Sequence, residues 1–211
     1  MNQDLKNTLS LELYNIIAVE DGYFKFEWKT LNIKAKTVLC ILHSKGLYPQ
    51  NVKLKLITVD GMDATEKFLE GLEELNLPHI NLILLGGITF AGFNIIDPIM
   101  VHERVNAPIV IVTDVKPSDV NVEKALKSHF KDWNVRLSIL RRFRSLTSIV
   151  EIRHGNIILY VQPLGLDSKE AVGIVKSLIV KGSYPEPLRV AKMIASATSR
   201  ALINVLAQPT S

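Results

Sequence analysis

The stretch Ile80-Asn-Leu-Ile-Leu-Leu-Gly-Gly-Ile-Thr-Phe-Ala-Gly-Phe-Asn-Ile95 joins an apolar run to a glycine-rich turn. The run Ile80 to Leu85 largely lacks polar alternation, which is typical of a parallel strand that is buried on both faces. In open α/β sheets, ligands bind just beyond the carboxyl ends of such strands. The turn is therefore a candidate ligand site. A tight strand-to-helix connection, in which the glycines merely permit positive φ angles, is the alternative.

The residue types of the turn favour close contact with a ligand or partner. Glycines let the backbone approach another molecule, and the two phenylalanines of the turn are expected to be exposed. The candidate ligand-binding residues are Gly86, Gly87, Thr89, Phe90, Phe93 and Asn94.

Extended and helical patterns alternate along the rest of the chain. The extended segments are Leu13 to Glu20, Ile33 to His43, Val52 to Val59, Ile80 to Leu85, Pro108 to Val112, Ile149 to Arg153 and Ile157 to Gln162. The helical patterns are Thr65 to Leu75, Asp97 to Arg104, Ser118 to Phe130, Ser168 to Lys181 and Pro187 to Leu206. Short connections at Ser44 to Gln50 and at His154-Gly155-Asn156 predict antiparallel pairs.

This order of elements predicts the fold class. Three antiparallel strands followed by helix, strand, helix and strand are the order of ribonuclease H-like domains. We therefore predict an α/β fold with a ribonuclease H-like mixed sheet, three antiparallel strands followed by parallel strands, flanked by helices. A doubly wound Rossmann sheet is the rival, but it normally opens with a strand, a glycine-rich turn and a helix. We expect residues 1–211 to form a single domain, because Pro, Gly and Ser never cluster into a linker.

Composition narrows the classes of function. The balance of 25 Lys plus Arg against 21 Asp plus Glu gives a net charge of +4, which permits an anionic partner and excludes a histone-like protein. The single Cys40 excludes a disulfide framework within one chain, which favours a cytoplasmic location. Residues Met1 to Glu12 lack the pattern of a signal peptide, and no membrane span is predicted.

Acidic residues cluster where the first and third strands are predicted to end. In a ribonuclease H-like sheet, carboxylates at the ends of neighbouring strands can hold divalent cations, which prefer oxygen ligands. We predict Glu20, Asp21, Asp63 and Glu66 as catalytic residues. We predict Asp21, Asp60 and Asp63 as ligands of Mg or Mn. An Asp-Gly turn and a helix cap at Asp63 are the alternative roles of these acids.

A basic segment with interleaved aromatics is a candidate contact with nucleic acid. Arginines bind phosphates, and aromatic rings stack on bases. The segment contains Trp133, Arg136, Arg141, Arg142, Phe143 and Arg144. A solvated helix face explains the same residues equally well. The chain has no nucleophile elbow, no P-loop lysine after the glycines and no paired Cys or His spacing for zinc.

Three motifs occur in a fixed order along the chain. They are Val59-Asp-Gly-Met-Asp-Ala-Thr65, Leu85-Gly-Gly-Ile-Thr-Phe-Ala-Gly-Phe-Asn94 and Pro185-Glu-Pro-Leu-Arg-Val-Ala191. Together they resemble a largely archaeal family of unknown function that is related to endonuclease V, and the resemblance covers nearly the whole chain. It implies a ribonuclease H-like fold. Endonuclease V cuts nucleic acid near deaminated adenine with Mg²⁺, so the resemblance also implies single-stranded or deaminated nucleic acid as the partner.

The catalytic residues of endonuclease V carry over only in part. Its first-strand aspartate falls on Glu20, with Asp21 as a substitute, and its glutamate falls near Asp63 or Glu66. Its second aspartate falls on Gly86, which supplies no carboxylate. The resemblance therefore implies a degenerate metal site.

The end of the chain departs from the endonuclease V pattern as well. The late histidine or acid of that enzyme has no counterpart in Pro187 to Ser199, where Arg189 and Lys192 stand instead.

Two functions follow from these observations. The first is a metal-dependent nuclease, or another protein that binds or processes nucleic acid, whose acids have rebuilt the metal site. The second is a non-catalytic binding protein for a nucleotide or a protein partner, which uses the glycine-rich turn. The fold does not decide between them, because function depends on the site. The sequence does not indicate an oligomeric state.

Overall fold

The computed structural model describes residues 13–25, 35–155 and 157–206. The strands are β1 (Asn15–Asp21), β2 (Lys36–Lys45), β3 (Tyr48–Thr58), β4 (Leu82–Leu85), β5 (Thr89–Phe90), β6 (Asn94–Ile95), β7 (Ile109–Thr113), β8 (Val150–His154) and β9 (Ile157–Leu164). The helices are α1 (Ala64–Leu75), α2 (Pro98–Val105), α3 (Asp119–His129), α4 (Trp133–Leu146), α5 (Ser168–Ser177) and α6 (Glu186–Leu206). In these ranges no helix has the length and apolar character needed to cross a membrane.

Seven strands form one mixed sheet in the order β3, β2, β1, β4, β7, β9, β8. The pairs of β1 with β2 and of β2 with β3 are antiparallel, whereas β4 runs parallel to both β1 and β7. The predicted ribonuclease H-like order is therefore confirmed. Val19 pairs with Leu85, and Leu85 pairs with Ile111. The residues that follow these three positions consequently lie at one edge of the sheet.

Some boundaries of the helices differ from the predicted ones. The helix predicted to reach Lys181 ends at Ser177, and the connection to α6 includes Gly182 at a φ of 84°. The basic segment forms α4, in which Arg141 and Arg142 are exposed, whereas Arg136 and Phe143 are buried, so only part of the segment is a solvated helix face. Three predictions include residues that the structure does not describe. They are the N-terminal segment at residues 1–12, the start of the second strand at 33–34 and the last residue of the hairpin turn at 156.

The sheet carries a hydrophobic layer on each face. Ile17 and Val19 of β1 pack with Phe68 of α1, whereas Ile16 and Ala18 pack on the side of α5 and α6. This division follows from the alternation of side chains along a strand. Position 20 therefore continues the series that faces α6.

A buried arginine of α4 connects two turns at the edge of the sheet. The Arg136 guanidinium forms an ion pair with Asp132, one helical turn earlier, at 3.0 Å. It also donates to three backbone carbonyl oxygens, those of Asp60 (3.0 Å), Gly61 (2.9 Å) and Phe93 (2.6 Å). Arg136 is therefore a structural residue, and the hypothesis that it contacts phosphate is wrong.

The other arginines of α4 each face an acidic side chain. The pairs are Arg141 with Glu123 (2.8 Å), Arg142 with Asp97 (2.5 Å) and Arg144 with Asp119 (3.2 Å). Because these acids offset the arginine charges, α4 is a weaker attractor for phosphate than its sequence suggests.

We expect Arg136→Ala to lower the free energy of unfolding by at least about 3 kcal/mol, because hydrogen bonds to charged groups contribute about 1.5–3 kcal/mol each. Urea unfolding checks this. Arg141→Ala is the matched control, and its exposed ion pair is expected to contribute less than about 1 kcal/mol. Equal losses in the two variants would contradict the structural role of Arg136.

Candidate active site

A buried glutamate lies at the end of β1. Glu20 is 6% exposed. Its Oε1 atom is 3.1 Å from the Tyr184 hydroxyl, which is also 3.0 Å from the Val112 carbonyl oxygen. Its Oε2 atom is 3.3 Å from the Lys192 Nζ atom. The site thus combines the end of β1, the end of β7 and the first half of α6.

The neighbouring aspartate joins the same cluster. Asp21 Oδ1 lies 2.8 Å from Lys192 Nζ, so one ammonium group bridges the carboxylates of Glu20 and Asp21. The other carboxylate oxygen of Asp21 accepts a hydrogen bond from the Ala91 backbone N–H at 2.5 Å. Asp21 therefore connects α6 to the glycine-rich turn between β5 and β6.

A close approach of α6 to the chain after β1 sets the position of Lys192. The Tyr23 N–H donates to Ser199 Oγ at 2.7 Å. A Cβ atom on Gly22 would lie 2.6 Å from the Ala195 carbonyl oxygen and 2.5 Å from Ser199 Oγ. Only glycine at position 22 permits this packing, which brings Lys192 over the two acids.

Burial gives Glu20 an unusual protonation equilibrium. Burial raises the pKa of its carboxyl to about 7, and Asp21 contributes in the same direction, although Lys192 and Tyr184 oppose the shift. Burial lowers the pKa of Lys192, but the two carboxylates outweigh that effect and hold it above its ordinary value. At neutral pH Lys192 is therefore charged, whereas Glu20 populates both forms.

Gly86 packs directly against the Glu20 carboxyl group. A Cβ atom at position 86 would lie 2.0 Å from Glu20 Oε1 and 2.4 Å from its carboxyl carbon. The glutamate side chain fills the space that a side chain at residue 86 would need. The Glu20 side chain and an aspartate at position 86 would need the same space. Glutamate at position 20 therefore goes together with glycine at position 86.

The predicted catalytic Asp63 has a structural role. Its carboxylate accepts hydrogen bonds from the Thr58 N–H (3.1 Å), the Thr58 hydroxyl (2.8 Å) and the Asn94 side-chain amide (2.5 Å). Burial raises the pKa of Asp63, but these hydrogen bonds lower it more, so the carboxylate stays charged. It joins the end of β3 to β6.

Two further predicted acids have other contacts. Asp60, at a φ of 56°, accepts a hydrogen bond from the Phe93 N–H at 2.8 Å. Glu66 is exposed and faces a separate cavity of about 420 Å³ beside Asp97 and Arg104. The structure does not bring Glu66 to the Glu20–Asp21 pair.

The predicted metal ligands are not arranged to bind a common cation. Within residues 13–25, 35–155 and 157–206, no group of three or more His, Cys, Asp or Glu side chains is arranged to hold a metal ion. The proposed ligands Asp21, Asp60 and Asp63 bind separate N–H or O–H donors, and Asp21 also faces an ammonium group. These acids lie near one turn because the strand ends are close together. Their carboxylate oxygens, however, do not point toward a common position.

The glycine-rich turn forms the small β5–β6 hairpin, not a direct connection to a helix. Phe90 is 2% exposed and belongs to the core, so the expectation that it is exposed is wrong. Phe93 is half-buried against Phe130, with ring centroids 5.4 Å apart. Asn94 is buried, and its side-chain oxygen accepts from the Ala64 N–H at 2.9 Å. Phe90 and Asn94 therefore stabilise the turn.

Other residues of the turn line a cavity at the carboxyl ends of β4 and β7. Gly86, Gly87, Thr89 and Phe93 border this space of about 410 Å³. The turn therefore borders a cavity, and its role as a ligand site stays a prediction. Gln162, on β9, borders the same cavity.

Sequence reasoning missed two side chains of this region. Tyr184 directly precedes the motif that begins at Pro185, and Gln162 interrupts the otherwise largely apolar strand Ile157–Leu164. A polar residue in a buried strand was the available signal for Gln162. The link of Tyr184 to Glu20 spans 164 residues and is visible only in the fold.

Comparison with known proteins assigns the family. The family model described as Endonuclease dU matches residues 12–199. The chain belongs to this family. A UPF0215 protein of Thermococcus kodakarensis is 37% identical over 183 residues, which cover 86% of this chain and 90% of that protein. A UPF0215 protein of Pyrococcus horikoshii is 33% identical over the same shares of both chains.

Solved structures of similar shape agree with this assignment. A crystal structure of a protein of unknown function from Archaeoglobus fulgidus has a TM-score of 0.71 and 27% identity, covering 88% of this chain and 98% of that one. Ciona intestinalis endonuclease V, bound to DNA that contains an inosine, has a TM-score of 0.53 and 15% identity, covering 92% and 87%. The second likeness shows that this chain shares its fold with endonuclease V.

We expect Gly86→Ala to destabilise the protein by about 1–3 kcal/mol, the usual effect of overpacking. The cost should fall when Glu20→Ala removes the side chain it would meet, and a double-mutant cycle in urea measures this coupling. Gly87→Ala is the control, because a Cβ there would lie no closer than 3.4 Å to its neighbours. An uncoupled Gly86→Ala would contradict the contact.

The stability of the protein should depend on pH through Glu20. Its pKa of about 7 in the fold exceeds its ordinary value of 4.5, so its contribution is fully present below pH 4.5 and is lost as the pH rises through 7. The loss amounts to roughly 3 kcal/mol at 1.36 kcal/mol per pKa unit. Urea unfolding from pH 4.5 to 8.5 should show a shallower decline for Glu20→Gln. The exposed control Glu103→Gln should keep the wild-type slope.

Proposed function

We propose that this protein is an endonuclease for nucleic acid that contains deaminated bases, with deoxyuridine, as in the description of its family, as the first substrate to test. The observation that carries the proposal is the Glu20 carboxyl group, whose pKa of about 7 accompanies a charged Lys192 at 3.3 Å. Perturbed carboxyl groups of this kind are characteristic of functional sites. The carboxyl ends of β1 and β4 are also where α/β sheets place such sites.

The groups at this edge match the needs of phosphodiester cleavage. A carboxyl group with a pKa near 7 can take a proton from an attacking water or give one to a leaving oxygen. We assign this proton transfer to Glu20. The hydrogen bond from Tyr184 and the contact with Gly86 hold the Glu20 carboxyl in one orientation.

Lys192 supplies the positive charge of the proposed site. Its side chain is 49% exposed, so a phosphate oxygen from solvent can reach its ammonium group. Charge placed where negative charge develops is a major source of catalysis in phosphoryl chemistry. Asp21 positions this ammonium group through the 2.8 Å contact with its carboxylate.

The use of Mg or Mn stays a prediction from the family resemblance. The predicted ligand set of Asp21, Asp60 and Asp63 does not fit a cation, so the steps assigned here involve only groups of the protein. Cation dependence is measured in the same assay as cleavage.

We expect cleavage of labelled DNA or RNA with a single deoxyuridine or inosine, in single- or double-stranded form, and little cleavage of undamaged strands. The reactions are compared in Mg²⁺, in Mn²⁺ and in EDTA. Glu20→Gln should lower the rate at least about 100-fold and remove the pH dependence near 7. Lys192→Met should lower it by a similar factor.

Glu103→Gln, an exposed substitution away from the site, is the activity control. Binding of damaged strands without cleavage in any of these conditions would overturn the proposal. That result would favour the non-catalytic binding protein, which the sequence left as the second hypothesis.

A further inference from the structure

A cavity of about 410 Å³ lies between the sheet, the glycine-rich turn and helices α3 and α4. This volume falls within the range of about 300–1,000 Å³ that is usual for small-molecule sites. Ile88, Phe93, Ile111, Val122 and Leu140 supply apolar walls. Such walls suit a flat, weakly polar ring.

Two hydrogen-bond donors of this cavity have no partner. The Gln162 side-chain nitrogen and the Arg144 Nη1 atom are buried and make no hydrogen bond to any described residue. Gln162 is 3% exposed. Buried polar groups are nearly always paired, so two unpaired donors in one cavity indicate that a ligand with acceptor atoms completes them.

The fold sets the positions of both side chains. Gln162 pairs with Ile111 across the β7–β9 ladder, and alternation along β9 turns it away from Val161, which packs with the layer on the α5 and α6 side. On the other wall, Asp119 holds the Arg144 Nε atom at 3.2 Å, which leaves Nη1 free. The two side chains therefore reach the cavity from the sheet and from α4.

The surroundings favour a neutral ligand over an anion. Asp114 and Asp119 border the cavity together with Lys116 and Arg144, so its charged side chains balance and give no excess of positive charge for a phosphate. Gly86 borders the cavity and also contacts Glu20, so a ligand in this space lies next to the proposed reaction centre. A base that is turned out of a strand has these properties, since its phosphates stay outside while its ring is enclosed.

We infer that the cavity receives a base turned out of the nucleic-acid strand, and that Gln162 and Arg144 donate hydrogen bonds to its carbonyl oxygens. This inference rests on the proposed function. Uracil and hypoxanthine carry a carbonyl group where cytosine and adenine carry an amino group. A guanidinium carries only donors, so an amino group that faces Arg144 would lose its own hydrogen bond, which disfavours the undamaged base. Arg144 is thus a specificity-determining residue.

Binding of short single strands separates base recognition from cleavage. The full-length protein with Glu20→Gln, which leaves the strand intact, is titrated in EDTA into fluorescein-labelled oligonucleotides that differ at one position. That position carries deoxyuridine, deoxycytidine, deoxyinosine, deoxyadenosine or an abasic residue. We expect fluorescence anisotropy to show binding of the deoxyuridine strand about tenfold tighter than that of the deoxycytidine strand.

Arg144→Met, added to this protein, removes the donor and keeps a side chain of similar length. We expect it to reduce the preference for deoxyuridine over deoxycytidine to about twofold or less. Gln162→Leu should weaken the binding of both strands alike, because an amide can turn either its N–H or its oxygen toward a base. Arg141→Met, at an exposed arginine of the same helix, is the matched control and should keep the preference.

Binding of the five oligonucleotides shows which bases the cavity accepts. Preference for deoxyuridine alone assigns the cavity to a pyrimidine, and preference for both deaminated bases assigns it to their shared carbonyl chemistry. Equal binding of all five strands, or a preference that survives Arg144→Met, would overturn the inference. A preference without wild-type cleavage would contradict only the proposed function, and cleavage without a preference would contradict only the role of the cavity.

Discussion

The burial of one carboxyl group, that of Glu20, is the constraint on which the rest of the site depends. A charge in the interior is costly unless partners stabilise it, and here the partners come from distant parts of the chain. Lys192 and Tyr184 approach from the α6 side, and Gly86 leaves the space. A second glycine, Gly22, lets α6 approach closely enough for its lysine to reach the acids.

The other acids of the region serve the fold more than the chemistry. Asp63 ties β3 to β6, and Asp60 holds the N–H of Phe93, while Arg136 binds the carbonyl groups of the same turns. These contacts form one polar network around the β5–β6 hairpin. Such a network makes the hairpin rigid. The rigid hairpin thereby fixes the position of Gly86, which lies between Glu20 and the cavity beside α4.

The arrangement divides the edge of the sheet into two neighbouring parts. On the α6 side, a carboxyl group and an ammonium group provide proton transfer and positive charge. On the α4 side, an apolar cavity contains two unpaired donors, and Gly86 borders both parts. An enzyme that acts on a strand at one base needs a place for the phosphate and a place for the base. The proposed function and the base-binding cavity follow from that division.

The sequence by itself determined the class of sheet and the edge at which the site lies. The apolar runs at β4 and β7 lack alternation because both of their faces are buried, and the short connection at Ser44 to Gln50 predicts the antiparallel pair of β2 and β3. Glu20 and Asp21 were identified as site residues because they end a buried strand. Only the tertiary structure decided which acids share a site. Asp63 and Glu66 follow the end of β3, yet Asp63 bonds to Thr58 and Asn94, and Glu66 faces a separate cavity. Tyr184, Lys192 and Gln162 meet their surroundings through packing between distant segments, which local residue patterns do not encode.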